Sequence, residues 1–283
     1  IGSYAFSSCT GLTSITIGES VTSIGDYAFS SCIGLTSINI PDSVTSIGNS
    51  AFRGCTGLTS ITIGENVSSI GDSAFYGCTG LEKICWNAKS VSDFEYSSQV
   101  FYNAGTSGSG IEVIFGDKVE KIPSYLFYTK YSSNSPNVTS ITIGDSVTSI
   151  GDAAFVGCSG LTNLTFGNSV EFIGTGAFSD CTSLTSVTLP STLQHLGCGV
   201  FNNCSGLTSV TVEAVVPPEM QHYPPAFENT NDCPIYVPCN SVDAYKHADG
   251  WYFDPSKSCL HPYTYLQKSH LHYHNLLEVP VQF

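Results

Sequence analysis

Apolar residues recur along most of this chain at a fixed interval. Within residues 12–34 the apolar positions are Leu12, Ile15, Ile17, Val21, Ile24, Ala28, Phe29 and Cys32. The same pattern restarts 23 residues later at Leu35, then at Leu58 and Leu81, and resumes from Val138, Leu161, Leu184 and Leu207. From Ser14 to Ile17 polar and β-branched residues alternate, which predicts a short strand with Ile15 and Ile17 inward. Gly25 and Asp26 predict a turn. Ala28, Phe29 and Cys32 then suit a single helical turn or tight bend. Gly11, Gly34 and Gly57 close successive units, where a positive φ is expected. One such unit cannot bury its apolar face alone, so neighbours must stack around a shared elongated core: a solenoid.

The regularity breaks between residues 82 and 137. Two units survive there in outline, with extra residues assigned to loops at 97–110 and 128–137, because insertions in solenoids fall in loops. This stretch carries five of the nine basic residues, Lys83, Lys89, Lys118, Lys121 and Lys130. It is also rich in aromatics. Phe94, Phe101, Phe115 and Phe127 are expected in the core, whereas Trp86, Tyr96, Tyr102, Tyr128 and Tyr131 are the candidate contact residues, since large aromatics on a rigid scaffold give contact area at low entropic cost. The competing reading is a degenerate repeat whose aromatics fill a widened core. Past Val212 the prolines 217, 218, 224 and 225 interrupt the pattern. The run 233–251 then predicts a strand at 235–237 and a short helix from Ser241, its N-cap, to His247.

The strand half, L-x-x-I-x-I, resembles a leucine-rich repeat. The continuation V-T-S-I-G-x-x-A-F-x-x-C resembles the BspA-like subclass found in bacterial and protozoan surface proteins, closely over residues 1–84 and 138–212. The resemblance implies a right-handed leucine-rich-repeat solenoid with a parallel β-sheet on one face, short helical turns or loops on the other, and about ten coils. At strand spacing that is an array of roughly 45–50 Å. Residues 1–254 are expected to form the solenoid, with irregular repeats at 81–137 and a capping unit at about 213–254. Residues 255–283 are a tail foreign to the repeat. Ile1 aligns with Ile24 one period later, so the chain is expected to open in the second half of a unit, as a fragment. Where many such repeats carry an asparagine ladder, Ser20, Ser43, Asn66, Ser146, Ser169 and Thr192 predict a mostly hydroxyl one. The family likeness further implies a secreted or surface-attached, non-catalytic protein that engages host proteins, extracellular matrix or other microbes.

Charge and cysteine content narrow the classes. A net charge of −14 with only 11% charged residues argues against nucleic acid or anionic membrane as a partner, and no apolar stretch of about 18 residues suggests membrane insertion. Seven of the twelve cysteines (Cys9, Cys32, Cys55, Cys78, Cys158, Cys181 and Cys204) share one repeat position, which predicts a ladder of buried thiols acting as small apolar residues. Stacked metal ligands are the alternative, but no C-x-x-C pair completes a site. Cys233, Cys239 and Cys259 lie outside the ladder and suit one disulfide in an oxidising compartment. His195 with Cys198 is the one nucleophile–base pairing in the sequence. Both occupy ordinary turn positions. Asp26, Asp72 and Asp152 form an interrupted acidic file that matches no calcium loop, and His270, His272 and His274 would share one side of a strand as a zinc or copper candidate. No recognised catalytic motif is present, so neither an enzyme nor a cofactor is expected.

The most extended candidate surface is the outward strand file of Thr16, Thr62, Thr142, Thr165 and Thr188, beside a file of serines. It suits a neutral, hydrogen-bonding face for a protein or glycan. The alternatives are hydroxyls that merely keep the sheet wetted, as in an architectural spacer or stalk, and an ice-binding threonine array.

Overall fold

The computed structural model describes residues 1–128, 134–221, 224–231, 233–251 and the strand Tyr263–Leu266. Lys130, Tyr131, Cys259, His270, His272 and His274 lie outside these residues. The chain winds as a β-solenoid, and most coils contribute strands to two files. The first file is the predicted one. Ser37–Asn39, Ser60–Ile63, Lys83–Trp86, Ile111–Phe115, Val138–Thr142 and Asn163–Thr165 form a six-stranded parallel sheet, and Ser186–Leu189, Ser209–Val212 and Ile235–Pro238 continue in a second sheet, which Tyr263–Leu266 joins antiparallel. Registers run one repeat apart: Ser37 pairs Ser60, Ile38 pairs Ile61 and Asn39 pairs Thr62.

A second file, absent from the sequence-based expectation of one strand per coil, comes from the V-T-S-I segment. Ser23–Ile24, Ser46–Ile47 and Ser69–Ile70 pair in parallel, as do Lys121–Ile122, Ser149–Ile150, Phe172–Ile173, His195–Leu196 and Glu219–Met220. Two residues per coil make no visible alternation, so only stacking brings these strands into being.

The A-F-x-x-C bend is a turn. Alternate amides bond locally, Ala28 N to Gly25 O (3.2 Å) and Ser30 N to Tyr27 O (3.1 Å), while those between reach the next coil, Phe29 N to Ala51 O (2.8 Å) and Ser31 N to Arg53 O (2.7 Å). A helix would use every amide within the segment. Here Tyr27 and Ser31 adopt left-handed φ values of 54° and 59°, which turns every second N–H along the solenoid axis. Gly34 and Gly57, expected at positive φ, are instead sites of close approach. A Cβ at Gly57 would stand 2.2 Å from the Ile33 carbonyl oxygen of the preceding coil.

The core is a column of phenylalanines. Phe6, Phe29, Phe52, Phe75, Phe101, Phe127, Phe155, Phe178, Phe201 and Phe227 stack ring on ring with centroids 4.8–5.7 Å apart. Phe94 and Phe115 are buried as well, as the sequence suggested for both. At the far end Trp251 leans on Phe227 (6.4 Å) and meets Tyr245 edge-on (4.9 Å). Both polar ends are satisfied, Trp251 Nε1 by Pro218 O at 2.9 Å and the Tyr245 hydroxyl by Ala214 O at 2.7 Å. Tyr245 lies on the one α-helix of the described residues, Val242–His247. Ser241 stands at its N-cap position, but its hydroxyl makes no capping bond there and donates to Asn240 Oδ1 at 3.4 Å.

Candidate binding surface

Three ladders of side chains fix the faces that remain for a partner. Cys32, Cys55, Cys78 and Cys204 donate their thiols to the carbonyls of Phe6, Phe29, Phe52 and Phe178 at 3.0–3.2 Å. Burial raises the Cys55 thiol to about 12 and likewise pushes those of Cys78 and Cys158 up. These cysteines are therefore core residues. Thr36 and Thr59 each give the hydroxyl to the carbonyl one coil back, Thr13 O at 3.3 Å and Thr36 O at 3.0 Å, and Thr162 and Thr208 repeat the arrangement. Ser43 and Thr192 do the same at the turn, to Val21 O and Val170 O, in line with the expected hydroxyl ladder. The third ladder engages two carboxylates of the acidic file. Asp26 Oδ1 accepts the Asn49 amide at 2.7 Å, and Asp152 Oδ1 accepts that of Thr175 at 2.7 Å. Much of the hydroxyl and carboxylate content thus holds coil to coil, and no group of three or more potential ligands for a metal occurs among the described residues.

The threonine file lies where predicted. Thr142, Thr165 and Thr188 are exposed, Thr62 is half-buried, and Thr16 is exposed on a segment that does not pair as a strand. Asn39 pairs Thr62, and Thr142 pairs Thr165, but between them the file runs through Cys85 and Ile114. The neighbouring serine file is replaced at the same place by Lys83 and Glu112, which pair at 3.0 Å. The middle of the sheet therefore presents an apolar pair beside an ion pair, with hydroxyls on either side.

The aromatics of the irregular segment separate. Trp86, expected as a contact residue, is fully buried at 0% exposure. It stands in register between Ile63 and Phe115, both inward, so the strand turns it into the core. Tyr96 is 56% exposed on its loop. Tyr102 belongs to the turn: its ring stacks on Tyr76 at 4.8 Å, its hydroxyl receives Asn134 Nδ2 at 2.6 Å, and the Arg53 guanidinium lies 4.1 Å over Tyr76. Tyr128 meets Tyr125 edge-on at 5.4 Å. Arg53 and Tyr76 were missed in sequence, though each follows the phenylalanine of its unit, as Tyr102 and Tyr128 do. The predicted contact residues thus divide between the sheet, the turn and one loop.

The lysines among the described residues are paired. Glu65 receives Lys89 at 2.5 Å and Lys118 at 2.6 Å, and Lys121 meets Asp93 at 2.7 Å. The Lys118 and Lys89 bonds hold the Glu65 carboxyl below its usual range. His195 Nδ1 lies 3.1 Å from Glu219, and the Cys198 thiol donates to Gln221 at 3.1 Å, so each side chain is engaged with the following coil.

No curated protein sequence matches the chain. Among solved structures it is similar to a leucine-rich-repeat protein of T. pallidum, with 28% identity, a TM-score of 0.43, and 58% of this chain and 72% of that one covered. A leucine-rich-repeat protein from Bacteroides ovatus is 25% identical, with a TM-score of 0.32 and coverage of 84% and 80%. The pneumococcal vaccine antigen PcpA is 19% identical, with a TM-score of 0.38 and coverage of 79% and 67%. The sequence profile of the BspA type leucine rich repeat region matches in six copies, over residues 1–134 and 120–243. With that match over most of its length, and with a 23-residue coil built on this motif, the chain belongs to the BspA-type leucine-rich-repeat family.

Proposed function

We infer that the chain is a non-catalytic binding and adhesion module, secreted or held at a cell surface, that takes a protein or glycan partner on the first strand file. Residues 1–254 act in this reading as one rigid solenoid. The observation that carries it is the departure of the sheet centre from the repeat. Cys85 and Ile114 replace threonine beside the Lys83–Glu112 pair, which gives an otherwise uniform hydroxyl face an apolar anchor with a polar rim, the anatomy of a binding hot spot. Thr62, Thr142, Thr165 and Thr188 extend contact along the array, and Tyr96, Tyr102 and Tyr128 add a second zone on the irregular segment. No helix among the described residues is long and apolar enough to cross a membrane.

The test is a quantitative pull-down from matrix, serum and cell-surface extracts with the parent chain and a Thr62→Arg/Thr142→Arg variant, both checked for folding by circular dichroism. A partner held by the parent and lost by the folded variant supports the reading. A partner held equally by both removes the sheet face from it.

A spacer is the second reading, favoured by the unbroken phenylalanine column, which makes a stiff rod whose faces need no occupant. It predicts that no extract yields a partner sensitive to the sheet variants.

A further inference from the structure

The outward position of the second strand file is polar in seven of its eight strands: Ser23, Ser46, Ser69, Lys121, Ser149, His195 and Glu219. Phe172 breaks that rule. It pairs with Ser149 on one side and His195 on the other, and its side chain remains 40% exposed, so core packing does not account for it. Beside it lies a concavity of about 220 Å³ lined by Lys121, Ser124, Ser149, Gly151, Asp152 and Phe172.

This concavity is built. Asp93 takes Lys121 Nζ on one carboxylate oxygen (2.7 Å) and the Ser124 amide on the other (2.8 Å). The Ser124 hydroxyl accepts the Asp152 amide at 3.1 Å, and Asp152 Oδ1 accepts the Thr175 amide at 2.7 Å. Gly151 forms the floor, where a Cβ would stand 2.4 Å from the Ser124 nitrogen. Lys121, Ser124 and Asp152 are thus each held by a neighbouring coil, and Ser149 completes the lining.

The chemistry selects a ligand class. Lys121 is neutralised by Asp93, and Asp152 adds a negative charge, so an anion is disfavoured. The volume is below the roughly 300–1,000 Å³ of a drug-sized pocket, which limits the occupant to about one ring. An aromatic wall facing hydroxyl and carboxylate acceptors suits a group with one apolar face and several donors. We propose that this concavity binds a single neutral pyranose of a glycan, its C–H face against Phe172 and its hydroxyls on Asp152, Ser149 and Ser124. The site is separate from the sheet face and stands whether or not that face binds a partner.

Saturation-transfer-difference NMR of the whole chain with galactose, glucose, mannose and N-acetylglucosamine tests it, with sorbitol as the acyclic control. At least one pyranose should give a saturable signal that sorbitol does not. Phe172→Ser installs the serine that four other coils carry there and should weaken that sugar by about tenfold or more, the scale of a lost aromatic contact. Phe172→Tyr should retain it. Ser149→Arg, which fills the concavity from the other side, should abolish it. No signal from any of the four sugars overturns the proposal, as does a signal unchanged in folded Phe172→Ser and Ser149→Arg.

Discussion

The Cys55 thiol donates to the Phe29 carbonyl at 3.1 Å, one coil back across the buried centre of the solenoid. That contact ties the cysteine ladder to the phenylalanine column, because the ring of Phe29 stacks on Phe52 and the ring of Phe52 on Phe75. Thiol, carbonyl and ring repeat together.

The thiol has a pH consequence. Burial pushes Cys55 from an ordinary 9.0 to about 12, so the folded chain keeps a proton that the unfolded chain releases between those values. Its stabilising contribution is complete below pH 9 and is lost as pH rises through that window. The urea midpoint should hold steady from about pH 7 to 8.5 and fall progressively above 9.

Reactivity should follow burial. Cys9 is exposed, whereas Cys78 and Cys158 are buried with thiols held protonated. Brief iodoacetamide treatment of the folded chain, mapped by mass spectrometry, should label Cys9 and spare Cys78 and Cys158 until denaturant is added.

Phe52 lies in the middle of the column with no exposed surface. Phe52→Ala should cost about 3–5 kcal/mol, as a cavity under two stacked rings, measured by chemical denaturation. Because the coils share one column, the loss should appear in the whole unfolding transition and not as a separate local step.

Two threonines three residues apart should behave differently. The Thr59 hydroxyl bonds Thr36 O at 3.0 Å, whereas Thr62 points outward in the sheet. Thr59→Val should cost about 1 kcal/mol, and Thr62→Val should stay within about 0.5 kcal/mol of the parent.

The period, the inward positions and the thiol ladder from Cys32 onward were legible because each coil restates them, whereas Cys9, expected as a buried rung, is exposed. The second strand file was not, since Ser46 and Ile47 become a strand only when Ser23 and Ser69 flank them. The left-handed turn residues were equally silent, because Tyr27, Ser50, Gln99 and Ala153 share a conformation without sharing a residue type. Trp86 was misread although its register carried the answer: it stands where Ile17, Ile40 and Ile63 point inward. The same alignment places Cys85 over Thr62, so the irregular centre of the sheet was available from spacing alone. The Arg53, Tyr76 and Tyr102 cluster was harder, because the loop insertion puts 26 residues between the two tyrosines instead of 23.

The most direct test of sheet-face binding uses one substitution on each file. Ile114→Arg alters the outward centre of the first file, and Ser69→Arg makes the same change on the second. The affinity of each folded variant for the partner captured by the parent chain would be measured by surface plasmon resonance. The account predicts a loss of at least about tenfold for Ile114→Arg, the scale of a hot-spot residue, and none for Ser69→Arg. Equal affinity for both variants, or a parent chain that captures nothing from matrix, serum or cell-surface extracts, would contradict it.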